Sequence, residues 1–164
     1  MSNNKRELFE RDASGEFHPA SFEAIVATAR RLLRARVLRL GRITSPAESK
    51  DYFIVRLGAL PYEAFAVLFL DSQHRVLAMR EMFRGSLSST SVYPREVLKE
   101  ALELNAGAVV FAHNHPSGIP EPSRADEVLT QSLKSALAMV DVRVLDHLVI
   151  GGGRAVSFSE RGLL

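Results

Sequence analysis

The segment GAVVFAHNHPSGIPEPSRADEVLTQSLKSALAMV, residues 107–140, decides how this chain is read. Its opening, GAVVFAHN (107–114), is a continuous apolar run rich in Val, the composition of a strand covered on both faces. Its close, 124–140, has the apolar spacing of a strong helix. Between them stand two histidines one residue apart, followed by Pro116, Gly118, Pro120 and Pro122, which turn the chain and stiffen its return. A buried strand, a tight loop and a helix in this order form one α/β unit with polar residues at the junction.

Working outward, the same patterns recur. Apolar residues from Phe22 to Leu33 predict a helix from Ser21 to about Arg39, with Leu32, Leu33, Val37 and Leu40 turned inward. A break at Gly41–Pro46 precedes a second helix over 47–58, with Ala47, Tyr52 or Phe53, Ile54 and Leu57 as inner positions. EAFAVLFLD (63–71) and RVLAMREMF (75–83) read as a hairpin joined by the turn SQH. Pro94 opens a helix that continues through 95–105. VRVLDHLVIG (142–151) and AVSFSE (155–160) are strands on either side of a GGG turn. Helix and strand alternate around a hairpin, so the expected fold is a single α/β domain with a mixed β-sheet flanked by helices. Residues 1–44 are expected to be an N-terminal helical extension whose first 17 residues are polar and mobile, ahead of a domain at 45–164.

Composition narrows the class. The chain has 164 residues, 46% hydrophobic, enough for one full domain. Its longest apolar runs, such as AFAVLFL (64–70), are of strand length, so no membrane partner is expected. The start lacks an apolar signal core, which makes the cytoplasm the expected compartment. With no cysteine, disulfides and thiolate ligands are excluded. The formal charge of +2 is unevenly placed: RRLLRARVLRLGR (30–42) carries six Arg, and no acid lies between Glu23 and Glu48. That helix is either a solvated face or a weak contact for nucleic-acid phosphates.

His113 and His115, at i and i+2 where a strand ends, project from one face. Ser123 occupies an N-cap, and Asp126 falls in the first helical turn, a helix-start signal that also aims a carboxylate back at the strand end. Two neutral imidazoles and one carboxylate suit a single zinc ion with a fourth position open, the arrangement of a catalytic site. His18 and His74 are expected at the surface. Asn114 points to the opposite strand face and is assigned no chemistry.

The run His113-x-His115, seven residues, Ser123, two residues, Asp126 resembles the JAMM motif, H-x-H-x7-S-x2-D, of MPN-type metalloproteases. The words HNHPSG, with YPREVLKEALELNAGAVVFA (93–112) and VRVLDHLVIGGGRAVSFSERG (142–162), are similar to its RadC-like branch, over roughly residues 45 to 164. The resemblance implies a cytidine-deaminase-like (MPN/JAB) sandwich and a zinc metallopeptidase acting on a peptide or isopeptide. It also implies an upstream glutamate as general base, matched by Glu63, with Glu81 as the runner-up and Glu96 and Glu100 fitting less well on a helix. Glu63 would take a proton from the attacking water, and Ser123 would donate to the oxyanion. Asp146 and His147 belong to the RadC-like signature, either as partners behind the ligands or backbone tethers, or as a buried core pair.

The competing class is a DNA-repair or mobile-element protein whose domain mainly binds a partner. Longer RadC-like chains carry a helix-hairpin-helix module, and the residues before 45 lack its paired Gly-containing hairpins, which weakens that reading. A zinc nucleobase deaminase fails for want of P-C-x-x-C. The letters HNH do not make a nuclease, because that motif's residues are spread over a ββα-metal hairpin.

Overall fold

The structure is a computed structural model that describes residues 8–40, 45–85 and 91–164, with 33–40 described by backbone alone. In chain order it runs β1 (Phe9–Arg11), β2 (Phe17–Pro19), α1 (Phe22–Leu40), α2 (Pro46–Leu57), β3 (Ala64–Leu70), β4 (Val76–Arg84), α3 (Pro94–Glu103), β5 (Ala108–Asn114), α4 (Arg124–Ala138), β6 (Arg143–Gly151) and β7 (Arg154–Ser157). Local chemistry explains the helix starts. Ser45 Oγ accepts from Glu48 N at 3.3 Å, and Pro46 follows as the first helical residue of α2, where its missing N–H costs no bond. α4 begins with a reciprocal capping box between Ser123 and Asp126.

Five strands form a mixed sheet in the order β4-β3-β5-β6-β7, antiparallel except for β5 and β6. The parallel pair needs a crossover, which α4 supplies. β3 and β5 are buried at every position, as the unbroken apolar runs require of central strands. Strand alternation then sorts the core into two halves. Ala64, Ala66, Leu68, Val110, Ala112, Leu148 and Ile150 face α2, where Tyr52, Phe53 and Leu57 cover them. Phe65, Val67, Phe69, Val109 and Phe111 face α3 and α4, against Val97, Ala101, Leu133 and Leu137. The observed architecture is thus the expected α/β domain with a mixed sheet between helices.

Several finer expectations change. Of residues 1–17, expected to be polar and mobile, 1–7 lie outside the described residues, and 8–17 carry β1, its turn and the first residue of β2 in an antiparallel hairpin. Asp12 organises its turn by accepting from Ser14 N and Glu16 N, and Gly15 takes the positive φ of 95°. Leu32 is exposed rather than inward, whereas Leu33, Val37 and Leu40 are positions whose side chains lie outside the description. In α2 the inner position assigned to Ala47 belongs to Ser49, whose hydroxyl donates to Pro46 O at 2.8 Å and so is satisfied while buried. His74 is half-buried, with φ of 61° in the β3–β4 turn, and its Nε2 lies 3.3 Å from an Arg143 guanidinium nitrogen. His18 is exposed, as expected, and pairs with Asp12 at 3.0 Å.

Candidate metal centre

The carboxyl end of β5 and the amino end of α4 meet on the α3/α4 side of the sheet, and there His113, His115 and Asp126 converge. Their ligand atoms all lie within 4.8 Å of one another. His113 Nε2 is 3.0 Å from His115 Nε2, and Asp126 offers Oδ1 at 3.4 Å to the first and Oδ2 at 3.9 Å to the second. A tetrahedral zinc with bonds of about 2.0–2.1 Å holds its donors roughly 3.3 Å apart, close to the distances from His113 Nε2 to His115 Nε2 and to Asp126 Oδ1.

The far nitrogen of each imidazole is occupied. His115 Nδ1 lies 2.9 Å from Ile119 O, which can only accept, so Nδ1 carries the proton and Nε2 keeps its lone pair. His113 Nδ1 lies 2.9 Å from His147 Nε2. Asp126 Oδ2 accepts from Ser123 N at 2.7 Å and from Ser123 Oγ at 2.6 Å. Lone pairs facing one another at 3.0 Å in a half-closed site repel unless a cation lies between them, either a proton or a metal ion. The donor set therefore fits zinc, and its partners are of the kind that orient ligands.

Ser123 Oγ donates to Asp126 Oδ2, so the serine orients the carboxylate. Glu63 lies just before β3. The β3–β5 pairing ends at Phe65↔His113, so Glu63 lies just beyond the end of the sheet at which His113 stands. Glu81 pairs with Ala66 and therefore lies on the α2 face, where it meets Tyr62 Oη at 3.4 Å. Glu96 and Glu100 make ion pairs with Lys99 and Arg80 at 3.1 and 2.9 Å.

Two polar residues outside the expected set prove important. Asn114, buried on the α2 face, accepts from Ala64 N and donates to Tyr62 O, both at 2.9 Å, and so clamps the backbone on each side of Glu63. Thr130, fully buried on α4, lies 2.6 Å from His147 Nδ1. Their signals in the sequence are an amide closing an apolar strand run and a hydroxyl on the inner face of an amphipathic helix. Asp146 and His147, neighbours on β6, divide their tasks by strand alternation. Asp146 accepts from Ser157 Oγ at 2.6 Å, His147 N at 2.8 Å and Ser159 N at 3.0 Å, which ties β6 to the turn after β7. His147 turns to the other face and meets His113. Of the Arg-rich stretch, Arg30 donates to Val55 O at 3.2 Å, and the side chains from residue 33 onward lie outside the description.

Electrostatics follow from burial. Burial pushes the Asp126 carboxyl up, but the hydrogen bond and attraction that His113 offers when protonated, with two donors from Ser123, outweigh it and hold the group well below the usual carboxylate range. Burial, then repulsion from His113 whenever that ring is also protonated, pushes His147 well below its ordinary 6.5. Between that lowered value and 6.5 the unfolded chain binds a proton at this imidazole that the folded chain does not. This part of the stability is full above 6.5 and declines as pH falls; Asp126 adds to the acid loss only below its ordinary 3.8. In chelator-treated protein, denaturant unfolding should lose up to about 1.4 kcal/mol per pH unit below that point, and a His147→Asn variant should lack this slope. Equal slopes in the two proteins would contradict the assignment.

The loop carrying His115 rests on a glycine turn. A Cβ on Gly151 would lie 2.8 Å from Gly118 C and 2.9 Å from both Gly118 O and Ile119 C, all backbone atoms. Gly151→Ala must therefore push away the segment whose Ile119 carbonyl holds His115. The expected cost is about 1–3 kcal/mol of stability, as for other overpacked sites. Zinc affinity should fall about 10–100-fold, the usual effect of disturbing a ligand's outer partner. Unfolding and zinc titrations that match the parent chain would refute the coupling.

Fold and site together define an α/β domain with a His-His-Asp group, able to hold a metal ion, at a strand–helix junction. The chain belongs to the RadC-like JAB domain family, whose family model matches residues 43–163. It is 59% identical over 145 residues to a UPF0758 protein of Methylibium petroleiphilum, covering 88% of this chain and 65% of that one. A UPF0758 protein of Leptothrix cholodnii is 57% identical over the same shares. One from Marinobacter nauticus is 48% identical over the whole of this chain and 73% of its own length. The chain thus spans a little under two thirds of the first two relatives. No helix among the described residues is long and apolar enough to cross a membrane.

Proposed function

We propose that this domain is a zinc-dependent amide hydrolase of metallopeptidase type, acting on a peptide or isopeptide bond. The observation that carries the reading is the convergence of three donors whose other polar atoms are already engaged, leaving their lone pairs for a cation. Zinc held by His113, His115 and Asp126 would supply Lewis acidity and a water acidified towards neutrality.

The chain's own residues do the rest. Glu63, two residues before the Phe65 that pairs with His113, takes the proton from the attacking water and delivers it to the leaving nitrogen. Asn114 keeps that glutamate's backbone in place from the far side of the sheet. Ser123 holds Asp126 in line for the ion and becomes an oxyanion donor once its hydroxyl turns from Oδ2.

The test is elemental analysis of protein purified without chelator, followed by a screen of peptide and isopeptide substrates. One zinc per chain and a cleavage that chelator abolishes and added zinc restores are the expected results. Absence of bound metal at saturating zinc, or cleavage indifferent to chelator, would overturn the reading.

A further inference from the structure

His113, Thr130 and His147 form a chain of hydrogen bonds whose proton order has one solution. Thr130 Oγ1 lies 2.6 Å from Asp126 O and 2.6 Å from His147 Nδ1. A carbonyl cannot donate, so the single hydroxyl proton goes to Asp126 O and the oxygen must accept from His147. His147 therefore carries its proton on Nδ1. It is fully buried, and its partners in the structure are Thr130 and His113, with no carboxylate in hydrogen-bond contact among the described residues. A neutral imidazole with Nδ1–H presents a bare Nε2, which accepts from His113 Nδ1–H at 2.9 Å. That leaves the lone pair of His113 on Nε2, the atom 3.0 Å from His115 Nε2 and 3.4 Å from Asp126 Oδ1.

We infer that Thr130 and His147 are positioning residues that dictate which nitrogen of His113 faces the metal. The inference rests on reading His113 as a ligand. The chain of contacts closes on itself: the carbonyl that orders Thr130 belongs to Asp126, whose carboxylate is the third donor. One turn of α4 therefore sets both the carboxylate and, through two side chains, the imidazole across from it. The rings are also packed in place. His147 stacks on Phe158 with centroids 4.8 Å apart and meets the edges of Phe65 and Phe111, so its ring has little freedom to turn over. A carbonyl or carboxylate is the common partner behind a metal-bound imidazole; here a second neutral histidine takes that place, and it works only while something fixes its own tautomer.

Two measurements test this. Nitrogen-15 NMR of the histidine-labelled chain, metal-free and zinc-loaded, should show His147 protonated on Nδ1 and bare at Nε2 in both states. A proton on His147 Nε2 in either state would overturn the inference. This holds even if the chain binds no zinc, so failure of the relay and failure of the metal reading are separable. Zinc titration then compares Thr130→Val, which keeps the shape and loses the acceptor, with Thr130→Ser, which keeps the hydroxyl. Affinity should fall about 10–100-fold in the first and return close to the parent value in the second. Parent-like affinity in Thr130→Val, or equal losses in the two variants, would show that the hydroxyl does not act through His147.

Discussion

His113→Ala and Asp126→Ala proteins should be purified without zinc under conditions in which the parent chain carries one ion. Each removes one of the three donors that converge among the described residues, so affinity should fall by more than the roughly 10–100-fold that loss of an outer partner costs. The two variants should differ in what else they lose. His113→Ala strips the fully buried His147 of the donor to its Nε2, which costs about 1–3 kcal/mol for an unsatisfied buried acceptor. Asp126→Ala removes the N3 half of the capping box at the start of α4, including the bond from Ser123 N, worth about 0.5–1.5 kcal/mol. Measured with chelator present, unfolding should show these losses without any contribution from metal. A full complement of zinc in either variant would mean that the ion lies elsewhere.

Glu63→Gln should retain zinc and lose hydrolysis by about 10²–10⁴-fold, the range that a positioned general base contributes. Glutamine keeps the length of the side chain and removes its basicity, and the ligand set is untouched. Glu81→Gln is the control, because pairing with Ala66 sets Glu81 on the opposite sheet face from His113. Normal turnover in Glu63→Gln together with a loss in Glu81→Gln would reverse the assignment. The shape of the effect matters as well: a loss in kcat with little change in KM marks a group acting in the transition state.

Much of this domain was legible before any coordinates. Central strands β3 and β5 stand out because burial on two faces demands apolar residues at every position, and few other elements produce so short and unbroken a run. α4 is announced by its cap: Ser123 and Asp126 satisfy each other's backbone across three residues, a purely local interaction. The three donors share that locality, since a strand end, a loop and a helix start place them within fourteen residues. The N-terminal hairpin was missed because its order comes from Asp12 and Gly15 within a polar stretch that has no apolar period to reveal it. Ala47 and Leu32 were misplaced for a related reason: helical spacing ranks residues by polarity, but neighbours decide which face is covered.

Local patterns in the chain carry the order of elements from α1 to β7 and the grouping of His113, His115 and Asp126, because both depend on contacts between residues near in the chain. Packing between elements separates the candidate glutamates, since Glu81 pairs with Ala66 on the α2 face while Glu63 precedes β3 at the end where Phe65 pairs with His113. The tertiary structure also showed that Asp146 ties backbone while His147 reaches His113, and that Asn114 and Thr130 serve the site from positions that look like ordinary core. Those roles arise where β3, β5, β6 and α4 pack together, and side chains that meet across separate strands leave no periodicity along the chain.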